Sequence, residues 1–173
     1  MNTFNKNKSS LDPKWVTGFC DRSASFGIAV SLRKSGSWEI RPEFVILVNA
    51  RHRKVLELIK DYFGVGSLYN SGNNVSYRVF GLNDLVTVIV PHFIKYPLLS
   101  SKIRTFTVWA KAIDLIKTGA HKTDAGFLEI LSIYAGINRG PSKTVKNNFP
   151  DLKPVGLGGG GGDEILEKDV YNI

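Results

Sequence analysis

Two hydrophobic periods alternate along the chain. Phe26, Ile28, Val30 and Leu32 interleave with Gly27, Ala29, Ser31 and Arg33, the period of two that marks a strand with one buried face. After the turn Lys34-Ser35-Gly36, a second strand from about Ser37 to Val48 places Trp38, Ile40, Phe44 and Ile46 on one face, with Glu39, Arg41, Glu43 and Val45 on the other. A second strand pair is predicted at Ser67-Leu68-Tyr69 and from Val75 to Val79, joined by the polar turn Asn70-Ser71-Gly72-Asn73. There Val75, Tyr77 and Val79 face inward, and Ser76, Arg78 and Phe80 outward.

Elsewhere the spacing of apolar residues becomes three and four. Asp12-Pro13 supplies an N-cap and a first-turn proline for a helix through Trp15, Val16, Phe19 and Cys20 to about Ser25. Val55, Leu56, Leu58, Ile59, Tyr62 and Phe63 predict a second helix that Gly64 stops. A third, from about Leu82 to Ile94, is interrupted near Pro91, and Ser100 or Ser101 caps a fourth that carries Ile103, Phe106, Trp109, Ile113 and Ile116. The last runs from about Asp124 to Ile137, followed by Gly140-Pro141 and a basic segment with Lys143 and Lys146. This order predicts an α+β fold, a four-stranded antiparallel sheet with helices on one face. The other face would be open and would carry Ser31, Arg33, Arg41, Tyr69 and Arg78.

A chain of 173 residues that is 43% hydrophobic can bury one real core. The expected organisation is a flexible basic arm over residues 1–10, a domain over 11–154, and a Gly-rich linker with an acidic tail over 155–173. The net charge is +8, and the five acids and two bases after residue 150 leave +11 on residues 1–150. A body this basic favours a polyanionic partner, nucleic acid first. The single cysteine, Cys20, excludes a disulfide scaffold and a zinc finger, and reads as core. No apolar stretch is long enough to span a bilayer and no leader pattern opens the chain, so a soluble protein without a membrane partner is expected. His52, His92 and His121 are dispersed without acid or nucleophile at meaningful spacing, and the glycine run lacks the Lys-Ser/Thr of a phosphate loop.

Several short motifs then occur in one order. Val16-Thr17-Gly18-Phe19-Cys20-Asp21-Arg22-Ser23-Ala24 precedes Ser25-Phe26 and a strand; Arg41-Pro42-Glu43-Phe44, Tyr62-Phe63-Gly64-Val65-Gly66-Ser67-Leu68 and Ser76-Tyr77-Arg78-Val79 follow. Pro91-His92-Phe93-Ile94-Lys95-Tyr96-Pro97-Leu98-Leu99-Ser100-Ser101-Lys102 and Ile137-Asn138-Arg139-Gly140 complete the set. Over about Leu11 to Pro154 the chain resembles one repeat of the LAGLIDADG homing endonucleases, in the subgroup found in fungal mitochondrial introns.

The resemblance implies a saddle that binds DNA, built from two repeats whose name-giving helices pack together. Trp15, Val16, Gly18 and Phe19 would then form an interface helix that needs a second copy or another protein. It also implies Mg²⁺ held by an acid at the foot of that helix, where this chain has Ser23, a poor ligand for a hard cation. Arg22 and Ala24 replace small flanking residues, Val45 stands where a polar glutamine is common, and Lys102 keeps a basic position near the cleavage centre. Asp21 matches the earlier acid of the motif, which serves helix termination and packing.

No catalytic residue and no metal are therefore expected, with Ser23, Val45 and Lys102 as vestigial positions. Nucleic acid would meet Ser31, Arg33, Arg41, Tyr69 and Arg78 on the sheet, and Lys102, Arg104, Lys143 and Lys146 outside it, with Tyr69 or Phe80 available to stack bases. The favoured reading is structured RNA, bound as an intron maturase or as a subunit of a mitochondrial ribonucleoprotein such as the ribosome. The alternative is a homodimeric DNA homing endonuclease, or an inactive variant of one, on a near-palindromic site. A third reading keeps protein contacts only. Mitochondrial localisation follows from the resemblance.

Overall fold

The computed structural model describes residues 11–157; the predicted arm over 1–10 and the acidic tail after residue 157 lie outside the described residues. The alternating segments form β1 (Ala24–Leu32), β2 (Trp38–Asn49), β3 (Ser67–Ser71) and β4 (Asn74–Val79), all antiparallel, in the order β1-β2-β4-β3. Register follows the apolar alternation: Phe26 pairs with Phe44 and Phe44 with Val79, while Ile46 pairs with Tyr77. These residues are buried, so a slip by one residue would turn the whole apolar set to solvent.

Seven helical segments accompany the sheet among the described residues: α1 (Pro13–Ser23), α2 (Arg53–Phe63), α3 (Leu82–Asp84), α4 (Val90–Lys95), α5 (Lys102–Lys117), α6 (Asp124–Ile137) and α7 (Lys143–Asn148). Asp12 caps α1 by accepting from Lys14 N and Trp15 N at 2.7 and 3.1 Å, and Gly64 ends α2 with a φ of 72°. The predicted break at Pro91 is a wide π turn, Leu85–Ile89, just upstream of it, which fits a residue with no N–H to complete the regular ladder. The basic segment after Gly140 is a short helix, α7, because Ser142 accepts from Val145 N and Val145 is buried.

The core lies between the sheet and the helices. Phe26 is its hub, with its ring 5.0 to 5.4 Å from those of Phe44, Phe93, Phe106 and Trp109. The indole of Trp109 donates to Gly27 O at 2.9 Å, which fixes α5 across β1. Asn138, at the end of α6, donates to Ile28 O at 2.7 Å and so occupies the free edge of β1. The packed chain continues past Pro154: Val155 N donates to Ser132 O at 2.9 Å, and the backbone of Val155 fills the space beside Gly136.

Behind α1 lies a buried polar chain. Thr17 Oγ1 donates to Tyr96 O at 2.9 Å, so its lone pair accepts from His92 Nε2–H at 3.0 Å, and His92 Nδ1 accepts from Tyr62 O–H at 3.2 Å. The rings of Phe63 and Phe93 stand within 5.1 Å of the imidazole, and burial pulls its pKa from 6.5 down to about 4. In the unfolded chain His92 protonates near pH 6.5, whereas in the fold it resists protonation, so stability is full above 6.5 and falls as the pH drops toward 4. The expected loss across that window is about 3 kcal/mol. Urea unfolding from pH 7 to 4.5 should show it, and His92→Gln should flatten it; an equal slope in both proteins would contradict the assignment.

Candidate nucleic-acid interface

One face of the sheet packs on the helices and the other has no layer over it among the described residues. Register sets the order of side chains there. Ser25, Val45, Arg78 and Ser67 form one row, Leu47, Ser76 and Tyr69 a second, and Gly27 lies opposite Glu43, Ala29 opposite Arg41, and Ser31 opposite Glu39. The open face thus brings together Ser31, Arg41, Tyr69 and Arg78.

Local chemistry decides how each is held. The Arg78 guanidinium lies over the Tyr69 ring, 6.0 Å from its centroid, and its Nε donates to Ser76 Oγ at 3.1 Å. Arg41 lies 5.3 Å over the Phe80 ring. One face of each ring predicted to stack bases is therefore covered by a guanidinium. Arg33 is ion-paired with Glu39 at 3.1 Å, and that hydrogen bond and charge hold the Glu39 carboxyl below its usual range. The Arg33 charge is accordingly part-neutralised within the protein.

The foot of α1 meets the start of α5 at the edge of this face. The last carbonyls of a helix carry partial negative charge, and Lys102 Nζ donates to Cys20 O at 3.3 Å and Ala24 O at 2.7 Å. In return, Asp21 Oδ2 accepts from Leu99 N and Ser100 N, each at 3.0 Å, and Oδ1 accepts from the Ser100 hydroxyl. Ser100 Oγ also accepts from Lys102 N at 3.1 Å and closes the ring of contacts. Burial alone would raise the Asp21 carboxyl, but the Ser100 and backbone hydrogen bonds, with the Lys102 charge, leave it below its usual value. Burial pulls Lys102 below the usual lysine range against the attraction of Asp21, and it pushes the Cys20 thiol up to about 12.

A cleft of about 310 Å³ opens beside this clamp, lined by Ser25, Ser101, Lys102, Thr105 and Ile137 among others. Ser23 is half-buried at its rim end of α1, and Val45 is half-buried in the row of Arg78. The remaining basic candidates are not gathered here. Arg104 reaches Leu157 O at 3.4 Å. Lys143 and Lys146 sit on α7, whose following Phe149 packs on Trp38 at 5.4 Å, on the helical side of the sheet. On α1 the Trp15 and Phe19 rings stack at 5.5 Å on the outward side, Gly18 meets nothing within 4 Å, and Val16 is buried toward the core. Val16 is thus a packing residue; Trp15 and Gly18 are exposed, and Phe19 is half-buried beside them. The Lys102–Asp21 exchange was missed in the sequence because its partners are about 80 positions apart.

Among the described residues the fold thus sets a bare sheet face, with arginines over aromatic rings, beside the helix foot at its rim. The profile of LAGLIDADG endonucleases matches residues 16–113. A Neurospora crassa protein named "Probable intron-encoded endonuclease 2" is 34% identical over 152 residues, covering 85% of this chain and 34% of that protein. The Podospora anserina "Uncharacterized 50.9 kDa protein in ND4 intron 1" is 37% identical over 128 residues, 70% of this chain and 28% of that one. The crystal structure of the I-SmaMI LAGLIDADG homing endonuclease bound to cleaved DNA superposes with a TM-score of 0.81 at 31% identity, over 90% of this chain and 53% of that one. The chain belongs to the LAGLIDADG endonuclease family, and it spans between about a quarter and a half of the length of these relatives.

The divalent metal of that family can be tested against the residues present. Hard Mg²⁺ needs oxygen ligands, usually carboxylate. At the foot of α1 both Asp21 oxygens are taken by Leu99 and Ser100, Ala24 O is taken by an ammonium group, and Ser23 offers only a neutral hydroxyl. No group of three His, Cys, Asp or Glu suited to a metal occurs among the described residues. The residues do not fit the ion.

Proposed function

We propose that this chain is a duplex-DNA-binding LAGLIDADG repeat whose own half of the cleavage centre has lost metal-dependent hydrolysis. The observation that carries the reading is the foot of α1, where Lys102 and Asp21 neutralise each other's helix ends and Ser23 leaves no free carboxylate. An ammonium group in that position repels a cation while still favouring phosphate.

DNA has better support than the structured RNA that the sequence favoured. The rings suited to stacking unpaired bases already carry Arg41 and Arg78, and the similar solved structure named above is described as bound to cleaved DNA. An intron reading frame in a fungal mitochondrion is the proposed origin, supported by relatives named for introns. The proposed partner at Trp15, Gly18 and Phe19 is a second LAGLIDADG helix, from another copy or from a separate repeat. Trp15 is 47% exposed and Gly18 is exposed beside it, and the chain covers about half of the solved relative.

The reading expects binding of duplex DNA with neither nicking nor double-strand cutting in Mg²⁺ or Mn²⁺. Gel analysis of a library of fungal intron insertion sites tests this, and robust metal-dependent cutting would refute it. Gly18 has no neighbour for a Cβ to strike within its own chain, so Gly18→Ala should stabilise the isolated fold by roughly 0.5–1 kcal/mol through helix propensity. The same change should weaken association through α1, read by light scattering as a lower mass at fixed concentration. Unchanged association with the added methyl would remove α1 as the contact.

A further inference from the structure

The described chain ends beside the helix foot, and it is anchored there. After α7, Ser132 Oγ donates to Lys153 O at 2.6 Å and Val155 N donates to Ser132 O at 2.9 Å, which lays this stretch along α6. Leu157 then packs against the core, and its carbonyl accepts from Arg104 at 3.4 Å. Arg104 stands in the first turn of α5 between Lys102 and Thr105, two residues that line the cleft of about 310 Å³. The end of the described chain is thus within one side chain's reach of that cleft.

The cleft is suited to a small anionic group. No acid lines it, and the hydroxyls of Ser25, Ser101 and Thr105 make no hydrogen bond among the described residues. Lys102 spends two of its three N–H donors on Cys20 O and Ala24 O, which leaves one. Arg22, exposed in the last turn of α1, adds positive charge at this end of the fold. Leu99, next to Ser100, is 93% exposed and offers an apolar contact beside the polar one.

A complementary segment belongs to the same chain. Five glycines, 158–162, are followed by Asp163, Glu164, Glu167 and Asp169, with Lys168 the one base among them and Ile165-Leu166 between the acids. Six residues separate Leu157 from Asp163 and can span about 21 Å when extended, so the acids can reach the cleft. A ligand tethered this closely acts at an effective concentration on the order of millimolar, at which weak ion pairs suffice.

We infer that the acidic segment 163–169 is the resident occupant of this cleft, where its carboxylates take the place of phosphate and nucleic acid must displace them. The competition rests on the duplex-DNA reading above; the docking does not. Carboxylate and phosphate share a preference for ammonium and hydroxyl donors. A few tethered carboxylates yield to a long polyanion that engages the whole basic body, so the device suppresses loose binding and leaves tight sites accessible.

Two measurements on the full chain test this. A nitroxide on Asn172→Cys keeps every acid, and Cys20, at 0% exposure, escapes labelling. The label should broaden the amide signals of Ser25, Ser101 and Thr105, and the broadening should vanish when Asp163→Asn, Glu164→Gln, Glu167→Gln and Asp169→Asn are combined. Broadening spread over the whole surface, or centred on Trp15 and Phe19 or on α7, would overturn the docking. For the competition, affinity for a short duplex of random sequence is compared between that four-acid variant and a control with Asp61→Asn, Asp114→Asn, Asp124→Asn and Asp151→Asn, all exposed acids elsewhere. Both carry the same net charge, so long-range attraction cancels. The four-acid variant should bind about threefold to tenfold more tightly than the control. Equal affinity in the two would refute the competition. If no form binds duplex, the DNA reading fails, and the position of the broadening still decides the docking.

Discussion

The ammonium group of Lys102 on the last carbonyls of α1 holds the rest of the site in place. It comes from the first residue of α5, and Asp21, in the last turn of α1, answers by accepting from the backbone and hydroxyl just before α5. Each helix end thus receives the charge that its dipole favours, supplied by the other helix. The exchange ties the end of α1 to the start of α5, beside the first residues of β1. On the proposed reading, a clamp whose carboxylate oxygens already accept hydrogen bonds and which adds an ammonium group is a poor cation site.

From that foot outward, the module separates two tasks. The helical side supplies rigidity through the Phe26 cluster and the Thr17–His92–Tyr62 chain, which holds α1 from behind. On the proposed reading the open side supplies contacts, and its arginines are set on rings that a core-directed alternation leaves outward. Because register is fixed by the buried face, the positions of Arg41, Arg78 and Tyr69 are fixed as well.

Much of this was legible in the residues. Alternation placed Ser76, Arg78 and Phe80 outward and Val75, Tyr77 and Val79 inward, and the four strands, the caps at Asp12 and Gly64 and the helix over 124–137 followed from local rules. The α+β architecture came with them, and the family came from the resemblance carried by the ordered motifs. What local rules could not give was partnership at long range. Lys102 could be placed near the cleavage centre by resemblance, but its engagement with Ala24 O depends on a contact across 78 residues. Lys143 and Lys146 looked like groove residues by charge, yet α7 sits on the helical side because Phe149 is drawn to Trp38. Tyr69 and Phe80 looked free to stack bases until the folded register set a guanidinium on each. Arg33 looked like a phosphate contact, and it is ion-paired with Glu39, its neighbour across the hairpin, at 3.1 Å.

The central claim is that the helix foot with Ser23 holds no hydrolytic cation. Calorimetric titration of Mn²⁺ into the native chain, alone and saturated with duplex DNA, and into Ser23→Asp, addresses it directly. The account predicts no stoichiometric uptake by the native chain in either condition and new uptake by the aspartate variant in the DNA complex. A saturable one-to-one site in the native chain that is lost in Asp21→Asn would contradict it.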